Sequence, residues 1–427
     1  MQCLIDFLDD TYQNRLRLLA QLKSERYEDT LDCYKNIFLA NFNNIEYECT
    51  ANCACKKYCN DIRNTINKID EEEIIIFFDT LKQIYLNWID ANSIQALNAF
   101  LDLLDKYDIL NFVYNISKSD IYFKGRLTNQ VLTSWDMFHI PFNKRYLINN
   151  QRYSLTGQPL VYIGSSVLDI ASELDVTDIE NFKVSSIKIP CDMKIYDLRN
   201  NIYDLLSDMT FNTMLDKQET AFTKANFFKI ILSSVCSFQK KQELKGYSFC
   251  EEYVLPQILA QILKTKNYDG ILYYSTKKYD NIEFKAIPDN DQEYVKNNTK
   301  LKNCILGYKE NIAIFTNLNT EHVYDRELFQ KLDISVPIDI NKIEKLTISN
   351  LEEIQNKILN SKEQDKISQS DKMVSSFKRI YSNMTLNNKS YTETDLGLLH
   401  IYQLFSALNQ IFIKKEDCTS GKPKNKN

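Results

Sequence analysis

Glycine and proline are scarce in this chain of 427 residues, which holds 8 Gly and 7 Pro. Neither type occurs before Gly125. Strand-rich folds reverse direction through turns with positive φ, which glycine supplies at least steric cost, so residues 1–124 are expected to be helical. Five of the 8 Gly and four of the 7 Pro fall between Gly125 and Gly270. Most loops able to hold a ligand are therefore expected in that stretch.

An excess of positive charge is also missing. Lys+Arg 52 against Asp+Glu 57 gives a net charge of −5, which leaves no general field for holding nucleic acid. No run of about 18 apolar residues is present to span a bilayer. The amino terminus, MQCLIDFLDDTYQ, lacks the basic-then-apolar order of a signal peptide. A cytoplasmic protein without membrane contact is the expectation, its 11 Cys mostly reduced thiols. Neither G-x-G-x-x-G nor G-x4-G-K-[ST] occurs, which disfavours Rossmann-type dinucleotide binding and P-loop chemistry. There are 3 His, the first at His139, and their scatter argues against a His-rich metal site, so no metal and no bound cofactor are expected.

What is present is an ordinary globular composition, 44% hydrophobic and 26% charged, long enough for two or three domains. Tyr12, Leu16 and Leu19 recur at helical spacing, as do Phe77, Leu81, Ile84 and Trp88, and then Ile94, Leu97, Leu101 and Leu104. Ser93 marks a loop or cap between the last two helices. From about 119 the pattern is mixed. LVYIGSS (160–166), SSIKIP (185–190), GILYYST (270–276) and NIAIFT (311–316) read as strands. VLDIASEL (167–174) and EYVLPQILAQILKT (252–265) read as helices, the second with Pro256 in its first turns. After about 340 helix returns, with one stripe at Leu351, Ile354 and Ile358 and another at Leu398, Tyr402, Phe405, Leu408 and Phe412. The final CTSGKPKNKN is expected to be disordered. The expected class is α+β: a helical N-terminal domain (1–118), a mixed α/β domain (119–335) and a helical C-terminal segment (336–427).

The most informative stretch runs from Met137 to Leu174. Arg152 precedes a Ser-Leu-Thr-Gly-Gln-Pro turn, Tyr162 lies in the following strand, and Glu173 ends the next helix. That spacing brings a cation, an aromatic face and a carboxylate around one cleft. Arg binds phosphate through a planar fork, Tyr stacks on a flat ring, and a carboxylate stabilises positive charge developing at a sugar carbon. Those needs are the needs of NAD glycosidic cleavage, although the three residue types alone are common.

In its spacing this stretch resembles the core of the RES domain, a family named for its Arg, Glu and Ser residues and known as NAD-consuming toxins of bacterial toxin and antitoxin pairs. Gln-Arg152-Tyr-Ser-Leu-Thr-Gly-Gln-Pro-Leu-Val-Tyr162 and the following Glu173 match both family intervals. Tyr268-Asp-Gly-Ile-Leu-Tyr-Tyr-Ser275-Thr has the form of its third element, Tyr253-Val-Leu-Pro-Gln257 that of the helix before it, and Phe123-Lys-Gly-Arg126 that of its first strand. The resemblance covers about 120–335. It implies an ADP-ribosyltransferase-like fold and NAD as substrate rather than cofactor. It also implies that Arg152, with Arg126 as a second candidate, holds the pyrophosphate or nicotinamide ribose, and that Tyr162 stacks on the nicotinamide. Glu173 is expected to stabilise an oxocarbenium-like transition state, and Ser275 to orient the ribose or amide. The nucleophile is left open among water, phosphate and a protein side chain. NAD cleavage by a toxin or defence effector held by an antitoxin is the first reading. ADP-ribosyl transfer to a protein and a non-catalytic NAD-sensing module are its rivals, and a homo-oligomer is a further expectation.

Residues 1–118 are similar to the HEPN-like domains that often precede larger RES proteins. No His precedes His139, so the Arg-x4-6-His element of catalytic HEPN RNases is absent and a scaffold or partner-binding role is expected. His139, in Phe-His-Ile-Pro, reads as a packed histidine rather than a general base. Cys49, Cys53, Cys55 and Cys59 stand close together, but one helix cannot offer all four to one metal, so buried or incidental thiols are favoured.

Overall fold

The computed structural model describes residues 4–45, 56–117, 120–200, 221–241, 249–277, 282–284, 309–343 and 384–404, with isolated positions 202, 205, 377, 381 and 407. Cys49, Cys53 and Cys55 lie outside the described residues, as do the side chain of Cys59, the stripe at Leu351, Ile354 and Ile358, Phe405, Leu408, Phe412 and the final segment.

The amino-terminal region is helical: α1 (Leu4–Leu8), α2 (Asp10–Leu22), α3 (Tyr27–Phe42), α4 (Lys56–Ile66), α5 (Glu71–Ile89) and α6 (Ser93–Lys106). Asp70 caps α5 through the Glu72 N–H, and Glu71, Glu72 and Glu73 place negative charge where the helix dipole favours it. Phe77, Leu81 and Ile84 form its buried face as their spacing predicts. Two other stripes are displaced. On α2 Leu16 is buried while Leu19 is 45% exposed, and on α6 Ile94 is 75% exposed. The buried face of α6 is Ala96, Phe100, Leu103 and Leu104, because the large Phe100 sets the packed side and turns Ile94 to solvent.

These helices share a hydrophobic core with α8 (Lys224–Val235) and α9 (Val254–Thr265), which come from the middle of the chain. The Phe77 and Phe228 ring centroids are 4.9 Å apart, and those of Tyr107 and Phe228 4.0 Å. Thr223 and Asn226 cap α8 reciprocally.

A mixed sheet of eight strands packs against this layer, in the order β1-β5-β6-β8-β3-β2-β4-β9. Its strands are β1 (Val113–Tyr114), β2 (Tyr122–Leu127), β3 (Val161–Gly164), β4 (Phe182–Lys188), β5 (Ile195–Asp197), β6 (Gly270–Tyr274), β8 (Glu310–Ile314) and β9 (Asp333–Ile334). Among the described residues only β5 and β6 pair in parallel in this sheet. Helix α7 (Val167–Glu173) lies over β2 and β3, and α10 (Arg326–Lys331) precedes β9. The molecule is thus of the α+β class with a helical amino-terminal region, and β1 already joins the sheet within the first 118 residues.

The carboxy-terminal region is not purely helical. β10 (Met384–Leu386) and β11 (Lys389–Ser390) form a hairpin that pairs with β7 (Ile282–Phe284). Asn387 and Asn388 carry its turn at φ 51 and 64, which Asn tolerates because its side chain bonds locally. Residues 395–404 are helical and bury Leu399, His400, Ile401 and Gln403. Gln403 donates to the Val184 carbonyl at 2.6 Å and accepts from Ser335 Oγ at 3.0 Å, so this helix is stitched to the sheet beside β4. Among the described residues no helix is long and apolar enough to cross a membrane.

Candidate active site

β2 and β3 share one register pair, Phe123 with Gly164, whereas β2 follows β4 over six pairs from Tyr122 to Leu127. Where β2 and β3 part, a cleft of 560 Å³ opens, within the usual size of small-molecule sites. Arg126, Arg152, Tyr162, Glu173 and Ser275 all line it. The residues singled out from the sequence therefore converge on one cavity.

Glu173 is the last residue of α7, a helix capped by Ser166, whose Oγ accepts the Asp169 N–H at 3.0 Å. The helix seats on two glycines. A Cβ on Gly125 would stand 2.6 Å from Ile170 Cγ2, and one on Gly164 would stand 2.7 Å from Ile170 Cδ1. Lys277 Nζ donates to the Glu173 carbonyl at 2.7 Å, closing the helix end where a cation is favoured. The carboxylate is held through one oxygen. Ser275 Oγ donates to Glu173 Oε1 in a short hydrogen bond, and Asn311 Nδ2 donates to the same oxygen at 2.8 Å.

Arg152 is 8% exposed. Nη1 donates to the Cys236 carbonyl at 2.8 Å, Nη2 donates to Thr276 Oγ1 at 3.0 Å, and the guanidinium lies 4.9 Å from the Tyr253 ring centroid. No carboxylate of the described residues forms an ion pair with it. Its loop is pinned by Gln257 of α9, which donates to the Gln151 carbonyl at 2.9 Å and to Asn150 Oδ1 at 2.6 Å. Two residues along the Tyr253-to-Gln257 segment thus shape the Arg152 site, a role that its match to a preceding helix did not disclose.

Tyr162, on β3, is half-buried, and burial raises the pKa of its hydroxyl well above the ordinary value. Arg126 is exposed at the cleft and donates from Nη1 to the Asp136 carbonyl at 2.7 Å. His139 borders the cleft but is locked in the packed role expected of it. Its Nδ1 lies 2.7 Å from the Ile140 carbonyl and its Nε2 accepts the Asp325 N–H at 2.9 Å, while burial lowers its pKa to about 4.

Tyr253, Tyr273, Asn311 and Lys124 also line the cleft and were not foreseen. Tyr273 was within reach, since it precedes Ser275 by two positions and strand alternation gives both one face. Its hydroxyl pKa is raised by burial and then by the nearby Glu173 charge.

No family model and no solved structure matches the chain. A protein of Bacillus subtilis (strain 168) named "Putative toxin YopC" is 31% identical over 202 residues, which is 45% of this chain and 45% of that protein. The chain therefore spans less than half the length of this relative.

Proposed function

We propose that this chain is a toxin-class enzyme that cleaves NAD at the bond between nicotinamide and ribose. The observation that carries the reading is the meeting of Arg126, Arg152, Tyr162, Glu173 and Ser275 on one cleft, with the Glu173 carboxylate fixed through Oε1. The name of the Bacillus subtilis relative supports the toxin class.

In this reading Arg152, an anchored guanidinium with no carboxylate partner among the described residues, receives the pyrophosphate, and Arg126 adds charge at the mouth. Tyr162 and Tyr253 offer ring faces to the nicotinamide and keep water off it. As the bond from ribose C1′ to the ring nitrogen breaks, its electron pair stays on the nitrogen and neutral nicotinamide leaves. Glu173 Oε2, the oxygen not used by Ser275 or Asn311, faces the positive charge that develops at C1′ and the ribose oxygens. Water then adds to C1′ and gives up a proton, leaving ADP-ribose. A phosphate or protein acceptor would use the same cleavage step. An antitoxin is the partner this class requires.

The test is purified full-length protein with NAD, free nicotinamide being followed by chromatography. Release by wild type that disappears in Glu173→Ala is expected. No release, or equal release by the variant, overturns the reading. Mass spectrometry of the second product and of co-incubated proteins identifies the acceptor.

A further inference from the structure

Lys124 is a cleft residue to which neither the motif nor the cleavage step assigns a task. It stands on β2 two positions before Arg126, and strand alternation puts both on one face, opposite Phe123 and Gly125. Lys124 Nζ donates to the Phe138 carbonyl at 2.5 Å. An ammonium has three protons to donate, and none of the described carboxylates forms an ion pair with this one. A second cation, Arg126, lies beside it and lines the same cleft. Two basic side chains on one strand face, whose hydrogen bonds among the described residues go to the Phe138 and Asp136 carbonyls, make a station for an anion.

We propose that Lys124 is an anion-binding residue of the cleft, acting with Arg126 to hold a phosphate group of the ligand on a wall distinct from that of Arg152. This rests on the phosphorylated substrate of the preceding reading and names a second phosphate contact for it. Burial, and then the Arg126 charge, lower the Lys124 pKa to about 7. A phosphate beside the amine favours its charged form, so binding above neutral pH draws a proton from solvent.

The surrounding charges do not imitate that signature. Arg126 is always charged, Lys183 on β4 is paired with Asp339 at 2.5 Å, and Asp136 is held below the carboxylate range by its Thr133 hydrogen bonds despite its burial. His139 is lowered to about 4, and the Tyr324 hydroxyl is raised by burial.

The experiment is isothermal titration of the full chain with ADP-ribose at pH 8, in two buffers of different ionisation enthalpy. Wild type is expected to take up protons on binding. Lys124→Met is expected to bind about tenfold or more weakly with no uptake, and Lys124→Arg to bind near wild-type strength, also without uptake. Equal affinity and uptake in wild type and Lys124→Met overturn the proposal, as does unchanged uptake in Lys124→Arg. Inorganic pyrophosphate as a second probe separates the two readings. Lys124-dependent pyrophosphate binding without nicotinamide release upholds the anion station and rejects NAD cleavage. Nicotinamide release with an unchanged KM in Lys124→Met does the reverse.

Discussion

Asn311 donates from Nδ2 to Glu173 Oε1 at 2.8 Å, joining β8 to the end of α7. Asn311 is 4% exposed, so this donor cannot be replaced readily by bulk water. A hydrogen bond to a charged group contributes about 1.5–3 kcal/mol. Replacing Asn311 by Leu is therefore expected to lower kcat for nicotinamide release by about ten- to hundredfold. Asn311→Asp removes the same donor and places a second carboxylate beside Glu173. Loss of the donor disfavours ionisation in both variants and the like charge adds to it in the Asp variant, so the acid limb of the pH–rate profile is expected to move to higher pH in both, and further in Asn311→Asp. Profiles of both variants that coincide with wild type would deny Asn311 its hold on the carboxylate.

Arg152 separates function from stability. It carries a buried charge bonded to the Cys236 carbonyl and Thr276 hydroxyl without an ionic partner among the described residues. Desolvating such a charge costs folding energy that hydrogen bonds only partly offset. Arg152→Met keeps the stem and removes the charge. Its thermal midpoint is expected to be unchanged or higher, while its affinity for ADP-ribose falls about tenfold or more. Differential scanning fluorimetry and calorimetric titration give both numbers on one sample. A lowered midpoint with unchanged affinity would assign Arg152 a purely structural role.

How far these features could be read from sequence depended on whether a signal was local. The spacing of Phe77, Leu81 and Ile84 survives in the structure because α5 buries one face. Helix α8 escaped notice because Phe227, Phe228 and every residue from Ile230 to Val235 are buried, which erases the period of 3.6 residues. The hairpin at Asn387 and Asn388 was hidden by its turn, which uses Asn where glycine is the usual signal. In the site, Arg152, Tyr162, Glu173 and Ser275 were legible through their order and intervals. Asn311, Tyr253 and Lys124 were not, because strand register and the docking of α9 decide what faces the cleft.

Gly164 tests the seating of α7, the helix that ends in Glu173. An added Cβ would meet Ile170 Cδ1 at 2.7 Å, Asn311 Oδ1 at 3.0 Å and Asp169 Cβ at 3.3 Å. Relief requires α7 to lift or Asn311 to move, and either displaces the Glu173 carboxylate. Gly164→Ala is expected to lose about 1–3 kcal/mol in urea unfolding, the usual cost of overpacking. It is also expected to reduce turnover more than ADP-ribose affinity, since Arg152 stands on another segment. A variant of wild-type stability and turnover would show that α7 can shift without consequence.

Two buried histidines are expected to weaken the fold as the pH falls. His400 sits among the rings of Phe123, Phe377, Tyr381 and Tyr391, and burial lowers its pKa to about 3. His139 is lowered to about 4, chiefly by burial, with its Nε2 already accepting the Asp325 N–H. In the unfolded chain both titrate near 6.5. Between that value and the folded values the unfolded state binds more protons, so stability rises with pH across this window and is lost as pH falls. Each histidine contributes a slope of about 1.4 kcal/mol per pH unit there, and none above about pH 7.5. Urea unfolding from pH 7.5 to pH 4.5 is expected to show this loss. His139→Asn, with no group to titrate, is expected to remove close to half of the histidine-linked slope. A slope identical to wild type would mean that His139 is protonated in the folded chain, and its bond from the Asp325 amide would then be absent.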